Sequence, residues 1–330
     1  MRKLVLVGCE NTKRTDFFLK AASELKIPVS FENIFSCEPD KLKEAIVKID
    51  PFIYKDAEIE KMEGLLKQYT DILNCFAINE NLKFLNHPLV IQEVLHKVKC
   101  KEKLIKHDIS TTQMISSQIK TLEELQQLML QQREYAVFIK PVQSSGAVGI
   151  VAYRFYQKRN KEVLYTSSYL DGDKLINTKK LYRIEDKEQI HKLLNKILSM
   201  ENIIEKWYSK ADYQGKKYDL RIVWQFGQVD FIVARQSKGP ITNLHLNNQA
   251  LSVEKLCLSD DKISEITELC TSAMKVFPLL NSAGIDIMLE KESLKPRIIE
   301  INGQGDLLYQ DIYNNNVIYK NQILHMYKMK

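Results

Sequence analysis

The sequence is poor in glycine and proline, with 11 and 8 of these residues in 330. That scarcity excludes a collagen-like chain and extended linker segments. No apolar run approaches the roughly 20 residues that a membrane helix needs, so no membrane partner is expected. The opening Met1-Arg2-Lys3 is basic, but the apolar run from Leu4 to Cys9 is too short for an export signal and reads better as a first strand. The six cysteines (Cys9, Cys37, Cys75, Cys100, Cys257 and Cys270) lack any CxxC or CxxH pairing. They read as reduced thiols rather than a disulfide frame, offer no paired zinc ligands, and make the cytoplasm the expected compartment. There is no internal repeat and no low-complexity tract. Charge is nearly balanced, 48 Lys and Arg against 42 Asp and Glu, for a net +6. So small an excess does not call for nucleic acid but suits an anionic substrate.

Hydrophobic residues make up 45% of the chain, enough to bury a sizeable core. At roughly 150 residues per domain, the length predicts about two domains, or one with lobes. Residues 3–8 read as a buried strand ending at Gly8. Phe17, Phe18, Ala21 and Leu25 have helical spacing, and an extended piece begins near Ile27-Pro28. This alternation predicts a small α/β domain over residues 1–90, punctuated by His87-Pro88. A Lys-rich helix follows over 89–107, then an amphipathic helix over 121–133 in which Thr121 and Glu124 form a capping box. Strands are predicted at 136–139, 150–153, near 163–168 and at 202–208, with a helix over 187–199. A hairpin over 219–226 and 229–236 turns at Gly227-Gln228, and a helix spans 260–280. Two paired strands, 284–290 and 297–302, precede a helical, polar tail.

Four constellations carry chemistry. The first is the strand–loop–strand FIKPVQSSGAVGIVAY, in which Lys140 presents a point charge and the small residues Ser144, Ser145, Gly146 and Gly149 let backbone N–H groups approach phosphate oxygens. It is no P-loop, since no helix with GK[ST] follows; two glycines between strands are by themselves an ordinary hairpin. The second is Asp286, Glu300 and Asn302. Hairpin pairing would set Asp286 against Glu300, and Glu300 and Asn302 point to one side. Three hard oxygen ligands among apolar strand residues are costly without a cation, and Mg²⁺ takes such ligands. The third is Arg221 and Arg235 on neighbouring strands, planar forks suited to phosphate or carboxylate, with Asn243 and His245 in the loop beyond. The fourth is Ile203-Ile204-Glu205-Lys206-Trp207-Tyr208, an apolar strand leading to an acid and aromatics that would flank a purine, although core packing accounts for Trp207 equally well.

The order and spacing of these segments, together with Lys97 before Ile109-Ser110-Thr111-Thr112, resemble the ATP-grasp ligase superfamily from about residue 88 to 320. The DxR, NLH, GxD and ExN succession is similar to ligases that extend peptides with glutamate. It also resembles the graspetide synthetases of microviridin and plesiocin type, which crosslink ribosomally made peptides. The ending Gly305-Asp306-Leu307-Leu308 departs from the common pattern. The resemblance implies an α/β fold with α+β lobes: the N-terminal domain over 1–90, a central lobe with the glycine loop over 91–202, and a C-terminal lobe over 203–330. It implies ATP and Mg²⁺. Lys97 and Lys140 would contact phosphates under the 144–149 loop. The Glu205 side chain and the backbone of Lys206 and Trp207 would read adenine, with Asp212 at the ribose. Asp286, Glu300 and Asn302 would hold Mg²⁺. Arg221 and Asn243 would lie by the γ-phosphate and acyl group, Arg235 by the substrate carboxylate, and Arg14 would be an extra basic contact in the cleft. The implied partner is an acidic precursor peptide, and a homodimer is expected by analogy; the lysines of 97–106 would draw an acidic leader, but are expected first to be a solvated charged face. Asp286→Ala or Glu300→Ala is expected to end ATP consumption while the fold survives. A peptide-crosslinking ligase, an intermolecular ligase of amino acids or small molecules, and a nucleotide-binding module without ligation all remain open.

Overall fold

Three sheets, each with its own buried layer, organise the chain. The structure is a computed structural model, and it describes residues 2–329 apart from 55, 145, 146, 160, 247, 307, 309, 310 and 312–314. The first sheet is parallel, in the order β2 (Val29–Asn33), β1 (Lys3–Gly8), β3 (Ala45–Ile49), β4 (Lys83–Phe84). Successive residues of β1 point to opposite faces. Leu4 and Leu6 meet Phe18 and Ala21 of α1 (Lys13–Glu24), while Val5 and Val7 meet Tyr69, Leu73 and Phe76 of α2 (Ile59–Ala77). Both faces are thus covered, as a parallel sheet requires.

The predicted helix over 89–107 is two helices, α3 (Pro88–Leu95) and α4 (Lys97–Lys106). His96 breaks them in an extended conformation, and its side chain accepts from the Lys99 N–H to cap the second. The expected solvated lysine face of α4 is also incomplete, because Lys97 and Lys101 are buried.

The middle sheet runs β5 (Met114–Ser116), β10 (Asn202–Lys206), β6 (Ala136–Pro141), β7 (Val151–Tyr156), β8 (Lys161–Asp171), β9 (Lys174–Ile184). Helices α5 (Leu122–Gln131) and α6 (Lys187–Leu198) send Leu122, Leu125, Ile190, Leu193 and Ile197 into its core, and the Thr121–Glu124 capping box is present. The boundary expected at 202/203 falls inside β10, which pairs with β6 from Asn202↔Pro141 to Lys206↔Val137. Residues 203–206 therefore belong to the middle sheet: Ile203 and Ile204 are buried there between two strand neighbours, with the polar Asn202 and Glu205 buried beside them.

The third sheet runs β14 (Gln249–Ser252), β13 (Gln228–Ser237), β12 (Lys216–Gln225), β15 (Ser282–Leu289), β16 (Pro296–Asn302), with β11 (Asp212–Tyr213) against β12. The β12–β13 turn is Phe226-Gly227, one residue earlier than expected. Both have positive φ (50° and 97°), the geometry of a tight two-residue hairpin. Helix α7 (Asp260–Lys275) backs this sheet through Ile266, Cys270, Ala273 and Met274.

The tail is helical but not polar throughout. Asp311 accepts from the N–H groups of Val317 and Ile318 at 3.0 and 3.1 Å at the start of α8 (Val317–Lys328). The helix then buries Ile318, Tyr319, Ile323 and Met326 against Leu4, Leu6 and Ile46 of the first sheet and Val223 and Val233 of the third. A polar hub joins the same parts. Asp306 is paired with Arg14 and with Lys48 (2.9 Å) and accepts from Gln322 Nε2 at 3.1 Å. Arg14, expected as a basic contact in the cleft, is instead a strut between α1 and the segment after β16, donating also to the Gln304 carbonyl at 2.9 Å.

The six cysteines are free thiols: Cys100 and Cys270 are buried, Cys9 and Cys37 half-buried, Cys75 and Cys257 exposed. No helix among the described residues is long and apolar enough to cross a membrane.

Candidate active site

One wall of the cleft is the β12–β15–β16 face. Register sets Arg221 opposite Asp286 and Asp286 opposite Glu300. A bulge follows, since Ile287 pairs with Ile298 and leaves Ile299 extra, so that Ile299 and Glu300, though adjacent, both line the cleft. Arg221 grips Asp286 with two nitrogens, Nη2 lying 3.1 Å from Oδ2, and Arg235 Nη2 reaches the same oxygen at 3.2 Å. Arg235 Nε donates to Asp219 Oδ1 at 2.7 Å. Lys210 closes the chain, 3.2 Å from Asp219 Oδ2 and 2.7 Å from the Thr242 hydroxyl. Burial alone pushes the carboxyls of Asp219 and Asp286 up. The facing cations outweigh it, Arg235 and Lys210 for the first and Arg221 and Arg235 for the second, and hold both below the ordinary range. Glu300 is engaged more lightly: among the described residues its carboxylate accepts from Asn302 Nδ2 at 3.2 Å.

The facing wall comes from β6, β10 and α4. Glu205 is buried, with Lys101 Nζ 2.8 Å from one oxygen and Lys140 Nζ 2.8 Å from the other. The Thr112 hydroxyl donates to the second oxygen at 2.8 Å. Desolvation pushes this carboxyl up, but the two ammonium groups overcome it and hold it at about 2. A depressed carboxyl contributes stability above its unfolded value near 4.5 and loses it as pH falls toward 2. Glu205→Gln should therefore be destabilised at neutral pH, and its deficit against the parent should shrink as pH drops through that window. Urea melts at pH 7 and pH 3 check this; an unchanged deficit would contradict it. Lys97, one turn before Lys101, donates to the carbonyl and hydroxyl of Ser144 at 3.1 and 3.0 Å. Burial pushes its ammonium down, against the pull of Glu300.

The roof is apolar. Ala147, Ile241 and Leu246 pack together with Phe138, Ile150 and Leu181. Gly149 has φ +69°, and a Cβ there would lie 2.7 Å from Pro141 Cγ, so this bend needs glycine. The empty space of the cleft beneath, with the open solvent at its mouth included, is about 630 Å³.

Of the residues singled out from the sequence, the cleft is lined by Lys140, Glu205, Lys206, Arg235, Asn243, Asp286 and Glu300. Arg221 and Asn302 reach it through Asp286 and Glu300, and Lys97 and Ser144 bond to each other at its side. Ser145 and Gly146 lie outside the described residues. Three expectations change. The Glu205 carboxylate is committed to Lys101, Lys140 and Thr112, which a buried anion needs, and is not offered to a base. The Trp207 side chain takes the packing alternative and does not flank the cleft: it lies against Phe138 and Tyr165 with Arg154 over its ring at 4.2 Å, and Tyr208 lines the cleft. Asp212 is exposed on β11 and does not line the cleft, because the turn from β10 carries it past the rim. The sequence reading passed over Lys101, Thr112, Lys210, Asp219 as an ion-pair partner, and Thr242. Lys101 had one available signal, its position four residues after Lys97 on one helical face.

The sequence profile of the YheC/D-like ATP-grasp family matches residues 83–320. The chain belongs to this family. Its ATP-grasp fold is shared with solved structures at low identity. These include ATP-grasp ligase PsnB complexed with minimal precursor, Mg and ADP (11% identity, 98% of each chain, TM-score 0.59). The macrocyclase MdnC bound with precursor peptide MdnA, from Microcystis aeruginosa MRC, aligns at 13% identity over 99% of this chain and 100% of that one, with TM-score 0.61. The D-cycloserine synthetase DcsG aligns at 10% identity over 99% of each chain, with TM-score 0.62. No curated protein sequence matches the chain significantly. In an ATP-grasp protein the two walls described above are contributed by separate sheets, and here the cations Lys97, Lys101, Lys140, Lys210, Arg221 and Arg235 outnumber the carboxylates Glu205, Asp219, Asp286 and Glu300.

Proposed function

We propose that the chain is an ATP-dependent ligase that activates a carboxylate and joins it to an amine or hydroxyl. The observation carrying this reading is the meeting, across one cleft, of Lys140 on one wall and Lys210 and Arg235 on the other with Glu300, a hard oxygen donor that Asn302 engages lightly from its side. Among the described residues no group of three or more His, Cys, Asp or Glu side chains is arranged to hold a metal ion by itself. That fits Mg²⁺, which takes one or two carboxylates and shares the rest of its shell with substrate phosphates. Glu300 and Asn302 would hold it, and Asp286 would join them by turning one oxygen away from Arg221 and Arg235. ATP with Mg²⁺ would supply the chemistry: its γ-phosphoryl passes to the carboxylate, a poor electrophile, with ADP leaving, and the amine or hydroxyl then displaces phosphate from the acyl group and gives up a proton.

The chain's own residues do the rest. Lys97 and Lys140 neutralise phosphate charge, and the backbone beside Lys206 and Trp207 meets the base against Phe138, Ile150, Met288 and Ile299. Arg235 and Arg221, already fixed by Asp219 and Asp286, present guanidinium charge where an acyl oxygen becomes negative. The apolar roof excludes water that would hydrolyse the activated acyl group.

For the substrate, an acidic ribosomally made peptide crosslinked through Glu or Asp side chains is favoured. The structural likeness to PsnB and MdnC, whose structures hold precursors, and the positive balance of the chain support it. The likeness to DcsG favours a second reading, a ligase of small amino acids. Incubation with ATP, Mg²⁺ and acidic Thr- or Lys-containing peptides should remove one water per link from the peptide mass. Phosphate release that responds to free amino acids and leaves the peptides unchanged would favour the second reading; no nucleotide consumption with either would reject both.

A further inference from the structure

We infer that Lys101 is a positioning residue: it is the resident counter-ion of Glu205, and by staying there it frees Lys140 for the phosphates of the nucleotide. The inference rests on the ATP reading above. Two ammonium groups share the one Glu205 carboxylate, each at 2.8 Å. They are not equivalent in place. Lys140 lines the main cleft together with Asp286, Arg235 and Glu300. Lys101 lies behind it, buried on α4, beside a smaller cavity that it lines with Lys97, Cys100 and Glu300, and it is tied further by the Thr112 carbonyl at 3.0 Å. An anion entering the cleft therefore meets Lys140 and not Lys101. A buried carboxylate stripped of every counter-ion is strongly unfavourable. With Lys101 and the Thr112 hydroxyl remaining on Glu205, Lys140 can turn toward a phosphate without stranding it. Without Lys101, Lys140 is the last cation on Glu205 and each phosphate contact competes with that pair.

The test is binding rather than turnover, with ADP and adenosine as ligands of the full chain, read by calorimetry. Lys101→Met should weaken ADP by about tenfold or more while adenosine, which lacks phosphate, binds as to the parent. Lys101→Arg, which keeps the charge, should retain ADP affinity. The charge-balanced double variant Lys101→Met with Glu205→Gln should recover most of the lost affinity, and it stands in for the single variant should that fail to fold. Equal weakening of ADP and adenosine would mean a merely structural lysine and overturn the inference. So would undiminished ADP binding by Lys101→Met, or a folded double variant as weak as a tenfold loss. A parent chain that binds neither ligand would instead sink the ATP reading itself.

Discussion

Glu300→Gln should reduce ATP turnover by about a hundredfold or more, the scale of the several kcal/mol that a metal's charge contributes to such a reaction, and leave the fold in place. The substitution keeps the size and one acceptor oxygen of the side chain. Its described partner, Asn302 Nδ2, can still donate to that oxygen. Among the described residues Glu300 makes no close ion pair, only a longer-range pull on Lys97, so the thermal midpoint should stay close to that of the parent. What is lost is a negative hard ligand at the point where β15 and β16 converge on the cleft. Phosphate release at saturating Mg²⁺, with a melt of the same sample, decides the matter. Turnover close to the parent's would remove Glu300 from the metal site.

Asp286→Ala behaves differently, although sequence alone treats the two carboxylates as a pair. Asp286 is buried and neutralises Arg221 and Arg235 together. Its removal takes the carboxylate from Arg221 and leaves Arg235 with Asp219, which Lys210 also shares, and breaking such a buried pair costs roughly 3–5 kcal/mol. The expectation that the fold survives this substitution unharmed therefore gives way. Asp286→Ala should lose both turnover and a large part of its stability in urea, whereas Asp286→Asn, which keeps an acceptor oxygen, should lose turnover with a smaller drop. A variant Asp286→Ala as stable as the parent would show that the two arginines are satisfied by other groups.

The difference between these two residues marks what the sequence discloses. Asp286, Glu300 and Asn302 were legible because they punctuate apolar strands at period-two spacing, and the partner of each strand was its neighbour along the chain. The β12–β13 hairpin was legible for the same reason, with glycine at its turn. Lys101 was not. Spacing sets Lys97 and Lys101 on one face of α4, but nothing local shows that this face turns inward; Glu205, far along the chain, makes the distinction. The role of Asp219 likewise depends on its register opposite Arg235. Strand β10 was found, but its sheet was not, since pairing with β6 is a fact about residues some sixty positions apart. The apolar stripe of α8 was missed because its partners, Leu4, Leu6 and Ile46, lie at the other end of the sequence.

That last contact has a consequence for how the molecule is made. Strands β1 and β3 and helix α1 leave the ribosome long before α8, yet α8 completes the cover that α1 gives one face of their sheet, and Arg14 and Lys48 meet Asp306, itself bonded by Gln322, only when that late segment arrives. This segment is thus sealed only late: until α8 arrives, part of an apolar face and the Arg14 cation lie uncovered, while Lys48 can already pair with Asp50, and that is the interval in which a holding chaperone would matter most.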